Sequence, residues 1–375
     1  MVLIKNTLAL LDLKIEIIET IGKIVVFIMA LLAVFLFTVK TKNKLANTLF
    51  GWYLLVIAFD LIGLFTNKAQ DYPNIQNLKM ASSLLQMPLF YLYVLSACYH
   101  NFKIRGTHVL HGLLFLLFLF IFKTTDFSDH SLLLYEILGE LQFVLYIVAL
   151  FIVLKKYKTV YLENYSNANY ALHTWLFQIT LFSCIAHSFV LFRWYLSHSI
   201  FQEYVLNINI LISLSVLAIT MFFVLKALYQ PALFTGINMQ LKSVKMMLQN
   251  NSGTIVKRET SENKNVQKLI ALMEHEKPYL DFELTLQKLA IQANIPEREL
   301  SLLINHHLNK HFFDFINEYR IQDAKLLLTD PEKKEVTVLE ILYQIGFNSK
   351  SSFYTAFKKA TNMTPSAYRK SVRSA

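Results

Sequence analysis

The sequence predicts an all-α protein in two parts: a seven-helix transmembrane bundle, then a soluble all-helical domain in which a pair of short helices recurs. Three observations carry this expectation. Of 375 residues, 55% are hydrophobic and only 17% charged, where an ordinary soluble domain is about a quarter charged. The apolar residues are unevenly placed, crowding the chain as far as Tyr229 and thinning between residues 236 and 268. From Leu284 onward they return at three- and four-residue spacing in short runs broken by Asn, Pro or Gly, the mark of small amphipathic helices. The expected division is a transmembrane segment over residues 1–235, a stalk and linker over 236–280, and a soluble domain over 281–375.

At the N-terminus, Asp12, Lys14, Glu16 and Glu19 interrupt the first apolar stretch and no small-residue cleavage site follows, which argues against a signal peptide. Residues 1–20 read as an external, partly amphipathic lead. Seven apolar runs follow at 23–39, 49–66, 80–99, 107–122, 131–154, 171–196 and 204–229, each near the length that crosses a bilayer. Loops one, three and five hold Lys40, Lys42, Lys44, Lys103, Arg105, Lys155, Lys156 and Lys158, whereas loops two, four and six hold only Lys68, Lys79 and Lys123. Basic residues accumulate in cytoplasmic loops. The N-terminus is therefore expected outside and the C-terminus inside, with the protein in the cytoplasmic (inner) membrane of a bacterium.

Ionisable groups inside spans are costly and tend to face a bundle interior or water. Asp60, Glu136, Glu140 and Arg193 are the candidates for intramembrane sensing of an unknown signal ligand. Glu136 and Glu140 share one helix face, a spacing that favours protonation of one or a cationic partner such as Arg193. The competing reading is that Glu136 and Arg193 lie at the outer interface and reach into water. Pro88 is expected to kink the third span. After Pro231, residues 237–248 read as a short amphipathic stalk, 250–265 as a flexible linker and 266–276 as a further amphipathic helix.

In the soluble part Thr285 is placed to cap a helix carrying Leu286, Leu289 and Ala290. Asn294 suits a left-handed turn, and a second helix from Pro296 buries Leu300, Leu303 and Ile304. The pattern recurs. Thr337 and Glu340 make a capping box, Val338, Ile341 and Leu342 an apolar face, and Gly346 the turn; Ser349 caps a helix through Phe353 and Phe357. Between them, residues 312–329 form one helix with Phe315, Ile316, Tyr319, Ala324 and Leu327 inward, about 27 Å long. This spacer suits two recognition helices in successive major grooves, about 34 Å apart. The two tandem helix-turn-helix units cover about 285–306 and 337–359.

Over residues 284–371 the chain resembles the AraC/XylS family of transcription regulators, through LTLQKLA (284–290), FINEYRIQDAKLLL (315–328), GFNSKSSFYTAFKK (346–359) and TPSAYRK (364–370). The resemblance implies a two-part helical reader of double-stranded DNA, and a membrane-anchored version of it in which spans replace a soluble sensor. It places base contacts at Arg298, Ser301 and Leu302 in the first unit and at Lys350, Ser351, Tyr354 and Thr355 in the second. Arg298 and Lys350 also fit on chemistry, since long cationic chains reach guanine edges. Three positions depart from the family: Pro296 stands for a capping serine and fits the first helical position, Leu342 stands for a small alanine, and Asn362 for a glycine.

Charge separates the two units: residues 341–375 carry +6 with no acid, while residues 281–340 carry −4. Phosphate attraction is therefore expected mainly in the second unit, from Lys358, Lys359 and Arg369. Cys98 and Cys184 form no metal or redox spacing. His306, His307 and His311 lack a further ligand at suitable spacing, and no nucleotide or nucleophile motif is present. No metal, cofactor or enzymatic activity is expected. The expected partners are DNA, the lipid bilayer, a second copy of the chain as a homodimer, and RNA polymerase. The alternative is a transporter or receptor whose cytoplasmic tail docks protein.

Overall fold

A computed structural model describes residues 2–41, 43–65, 72–99, 101–166, 171–230 and 258–373. The structure is helical, with no strand among the described residues beyond one isolated β-bridge. The chain packs into two compact units, Met1–Lys155 with Ala171–Met239, and Lys156–Tyr170 with Gln240–Ala375.

In the first unit the helices are α1 (Val2–Thr38), α2 (Lys44–Leu61), α3 (Pro73–Ser83), α4 (Gln86–Cys98), α5 (Leu113–Thr125), α6 (Asp129–Asn164, whose end enters the second unit), α7 (Ala171–Ser197) and α8 (Val205–Tyr229). Among the described residues six helical segments are long and apolar enough to cross a membrane, or seven if the bent pair α3 and α4 is one span. Many large apolar side chains are exposed on these helices, Phe27, Leu31, Phe120, Leu145 and Ile152 among them. An aromatic cluster fills part of the interior: Phe50 stacks on Tyr93 at 4.5 Å, Tyr53 on Phe90 at 5.2 Å, and the Trp175 indole N–H donates to the Tyr93 hydroxyl at 2.9 Å.

Several boundaries differ from the sequence expectation. The N-terminal lead is continuous with the first span, because Ile18 and Ile21 are buried like Val25 and Met29 further along the same helix. The third span is broken by 41° between α3 and α4. The break lies just before Pro88, which has no N–H to return to the carbonyl of Leu84; the N–H of Leu89 bonds Leu85 normally at 3.0 Å. The fourth span begins as a 3₁₀ turn over Gly106–Gly112, and α6 runs ten residues beyond the expected end of span five.

The second unit contains α9 (Arg258–His275), α10 (Leu286–Ala293), α11 (Glu297–Leu302), α12 (Phe312–Thr329), α13 (Val338–Gln344), α14 (Lys350–Thr361) and α15 (Pro365–Arg373). The expected stalk at 237–248 lies outside the described residues, as does the linker up to 257. From Arg258 the linker expectation fails, since α9 starts eight residues before Val266. Its first turns are polar but hold no Gly or Pro to interrupt a helix.

Two cores share α12. Leu269 and Met273 of α9 pack with Leu286, Leu289, Leu300 and Ile304 against Phe312, Phe315 and Ile316. Further along α12, Ile321, Ala324 and Leu328 pack with Ile341, Leu342, Phe353 and Phe357. Tyr319 and Leu327 are half-buried rather than central.

Candidate nucleic-acid interface

Each helix-turn-helix unit is set by its caps. The Thr285 hydroxyl accepts from the Lys288 N–H at 3.1 Å, and Asn294 closes α10 in the left-handed region at φ 48°. Pro296 occupies the N-cap of α11 and not its first helical position, with no side-chain cap in its place. In the second unit the capping box is reciprocal: Thr337 accepts from the Glu340 N–H at 3.1 Å, and the Glu340 carboxylate accepts from the Thr337 N–H at 2.7 Å. That backbone donor is the main cause holding the Glu340 carboxyl below its usual range. Gly346 makes the turn at φ 83°, Ser349 caps α14, and Asn362 ends it at φ 57°.

This scaffold presents α14 as a polar, cationic face. Phe353 and Phe357 point into the core, while Lys350, Ser351, Thr355, Lys358 and Lys359 are exposed and Tyr354 is half-buried. The Lys350 ammonium lies 5.4 Å from the Tyr354 ring. Lys350, Ser351, Tyr354, Thr355 and Lys358 recur at i, i+1, i+4, i+5 and i+8 and so share one side of α14, the geometry a major-groove reader needs. Lys359 also pairs with Asp314 at 2.9 Å, although it remains 75% exposed. Substituting Lys358 and Lys359 together by alanine is expected to lower the log–log salt slope of DNA binding by about 1 to 2. An unchanged slope would show that neither lysine neutralises phosphate.

The first unit differs. Arg298 and Leu302 are half-buried. Ser301 is 1% exposed, and its hydroxyl has no partner. It shares a helix face with Leu300 and Ile304 and so points to the core, not to a groove; the spacing itself carried that signal. Arg369 is also not placed as expected, since its guanidinium donates to the Val336 carbonyl at 2.8 Å and tethers α15 to the loop before α13.

Sequence reasoning missed Arg320, the largest polar side chain of this unit's interior, at 0% exposure. It donates to the carbonyls of Tyr279 at 2.7 Å and Asp281 at 2.8 Å, and its guanidinium lies 5.4 Å from the Phe347 ring. Burial lowers its pKa to about 10, with the Asp281 carboxylate opposing the shift, so it is charged at neutral pH.

In the first unit of the fold, the four candidate sensing residues do not form one cluster. Glu140 pairs with His187 at 2.8 Å, not with Arg193, and the His187 ring stacks on Phe143 at 3.7 Å. Asp60 is approached by Gln86 at 3.4 Å, while Glu136 and Arg193 are exposed. Among the described residues no group of three potential metal ligands comes together.

Residues 289–371 match the family model described as a helix-turn-helix domain. Over 88 residues the chain is 39% identical to the uncharacterized HTH-type transcriptional regulator YdeC of Bacillus subtilis, covering 24% of this chain and 29% of that protein. It is 37% identical over 87 residues to the regulator SACOL0084 of Staphylococcus aureus, covering 23% of this chain and 11% of that protein. It is 42% identical over 66 residues to a regulator in the cgkA 5′ region of Pseudoalteromonas carrageenovora, covering 18% and 37%. Among solved structures it is similar to the C-terminal domain of AraT, a response regulator from Geobacillus stearothermophilus, at 27% identity and a TM-score of 0.25, covering 28% of this chain and 84% of that one. The chain therefore spans between 11% and 37% of the length of these curated regulators. The family match lies in the C-terminal part of the chain, which is a helix-turn-helix domain of the AraC type.

Proposed function

We propose that the chain is a membrane-bound one-component transcription regulator, in which the spans take up a signal and the C-terminal domain reads operator DNA on the cytoplasmic side. The observation that carries this reading is the presence, in one chain, of an AraC-type domain with an exposed cationic recognition face and of six helices suited to cross a bilayer. Counting α3 and α4 as one span gives seven crossings. That number puts the C-terminus inside when the N-terminus is outside, as the lysine-rich odd loops favour. Residues 1–235 then form the sensor, 236–280 the connection and 281–375 the reader.

Within the reader, Lys350, Ser351, Tyr354 and Thr355 contact bases in one major groove, Arg298 and Leu302 in the next, and Lys358 and Lys359 hold phosphates. The first unit's net negative charge leaves it weak alone, so a homodimer gains affinity by linking two readers, with RNA polymerase as the partner of the bound form. Asp60 with Gln86, and Glu140 with His187, are the groups through which the spans respond to a ligand.

The test is selection from a random duplex pool by the full chain in lipid nanodiscs, sequenced across a salt series. Enrichment of paired short half-sites about one helical turn apart is expected. Weak, sequence-blind binding at every salt would refute the regulator reading.

A further inference from the structure

The helix α6 carries more than a span. Its 36 residues are about 54 Å long, while the hydrocarbon core is about 30 Å thick. Its end and the following residues as far as Ser166 belong by packing to the same compact unit as the DNA-binding domain. Tyr157, Val160 and Tyr161 are buried there, and Tyr161 stacks on Tyr165 at 4.8 Å.

Tyr165 then pairs with Thr285 in an antiparallel β-bridge. Ser166, fully buried, is held on every polar atom. Its N–H and its hydroxyl both donate to the Leu284 carbonyl, at 3.3 and 2.7 Å. Its own carbonyl accepts from Arg320 at 3.1 Å and from the Asn317 amide at 3.4 Å, and a second Arg320 nitrogen donates to its hydroxyl oxygen at 3.3 Å. A buried charge and a buried amide are thus partnered by a residue 151 to 154 positions away in sequence. Leu284 and Thr285 are where the first helix-turn-helix unit begins, Thr285 being the N-cap of α10.

We propose that residues 157–166 are a docking strap for the DNA-binding domain, through which a displacement of the fifth span is felt at the N-cap of α10. This rests on the membrane-regulator reading for its purpose, while the docking itself is independent of DNA. The strap's grip is on backbone carbonyls and on Arg320 and Asn317, so it specifies position more than sequence. A signal that turns or shifts α6 would loosen or tighten the first unit and leave α14 with its own caps.

The test uses the full chain in nanodiscs with Cys98→Ala and Cys184→Ala. The pair Tyr165→Cys and Thr285→Cys, adjacent across the bridge, is expected to form a disulfide at least about tenfold faster than the control pair Tyr165→Cys and Thr355→Cys. Ser166→Ala leaves room in the site but removes the hydroxyl bonds, and is expected to slow that cross-link at least about threefold. In Ser166→Ala with Thr285 retained, amide exchange at Lys288 and Leu289, whose N–H groups donate to Thr285, is expected to quicken by a similar factor. A cross-link no faster than the control overturns docking. A slowed cross-link with unchanged exchange in α10 overturns transmission. Failure of DNA selection, by contrast, would strike the regulator reading and leave the cross-linking rate untouched.

Discussion

Replacing Gly346 by alanine is expected to destabilise the DNA-binding domain by at least about 3 kcal/mol, and to abolish its protection from proteolysis at temperatures where the parent chain resists. Two independent costs add. At φ 83° an L side chain is strained. A β-carbon there would also meet the carbonyl oxygens of Tyr279 and Leu280 at 2.6 and 2.7 Å. These are backbone atoms that cannot swing aside, as the end of a flexible side chain would. Domains are stable by only about 5 to 15 kcal/mol, so one methyl group removes a large share. Gly106, whose added β-carbon meets nothing within 4 Å, supplies the comparison: Gly106→Ala should leave protection unaltered. A Gly346→Ala variant as resistant as Gly106→Ala would show that the turn relaxes freely.

The second large effect is expected at Arg320. Arg320→Met keeps much of the volume but withdraws the guanidinium donors that reach the carbonyls of Tyr279, Asp281 and Ser166, leaving the last only the longer bond from the Asn317 amide. Leaving buried acceptors without partners costs about 1 to 3 kcal/mol each, so a loss of about 3 kcal/mol or more is expected in urea unfolding followed at the domain's tyrosines. Arg320→Lys should recover little, because an ammonium lacks the planar fork that serves three carbonyls at once. Recovery by lysine to within about 1 kcal/mol of the parent would mean that charge alone, not the fork, holds the site.

What the sequence made legible followed from local rules. Caps such as Thr285, Thr337 and Ser349, the left-handed Asn294 and Asn362, and the 18 residues of α12 obey short-range chemistry and were readable one turn at a time. The bent third span was partly legible, since Pro88 announces a broken hydrogen bond without giving an angle. Arg320 was not legible: an arginine within EYRIQDAK looks like a solvated helix face, and only the fold brings the Tyr279 and Asp281 carbonyls over it. Ser166 was hidden for the same reason, its partners lying more than a hundred residues away. Ser301 is the instructive case, because the resemblance assigned it to DNA while its helical phase with Leu300 and Ile304 already turned it inward.

The segment from Tyr279 to Asp281 precedes the first helix-turn-helix unit, yet it is gripped by Arg320 from the middle of α12 and closed upon by Gly346 from the turn of the second unit. The two units are thus fastened twice, once along α12 and once across this short segment, like two pages held by both spine and clasp. A reader bound in that way has little freedom to change its gauge. One base pair inserted between its two contact sites would rotate one groove about 34° from the other, and the mismatch would fall on the DNA, which must twist or bend to close it.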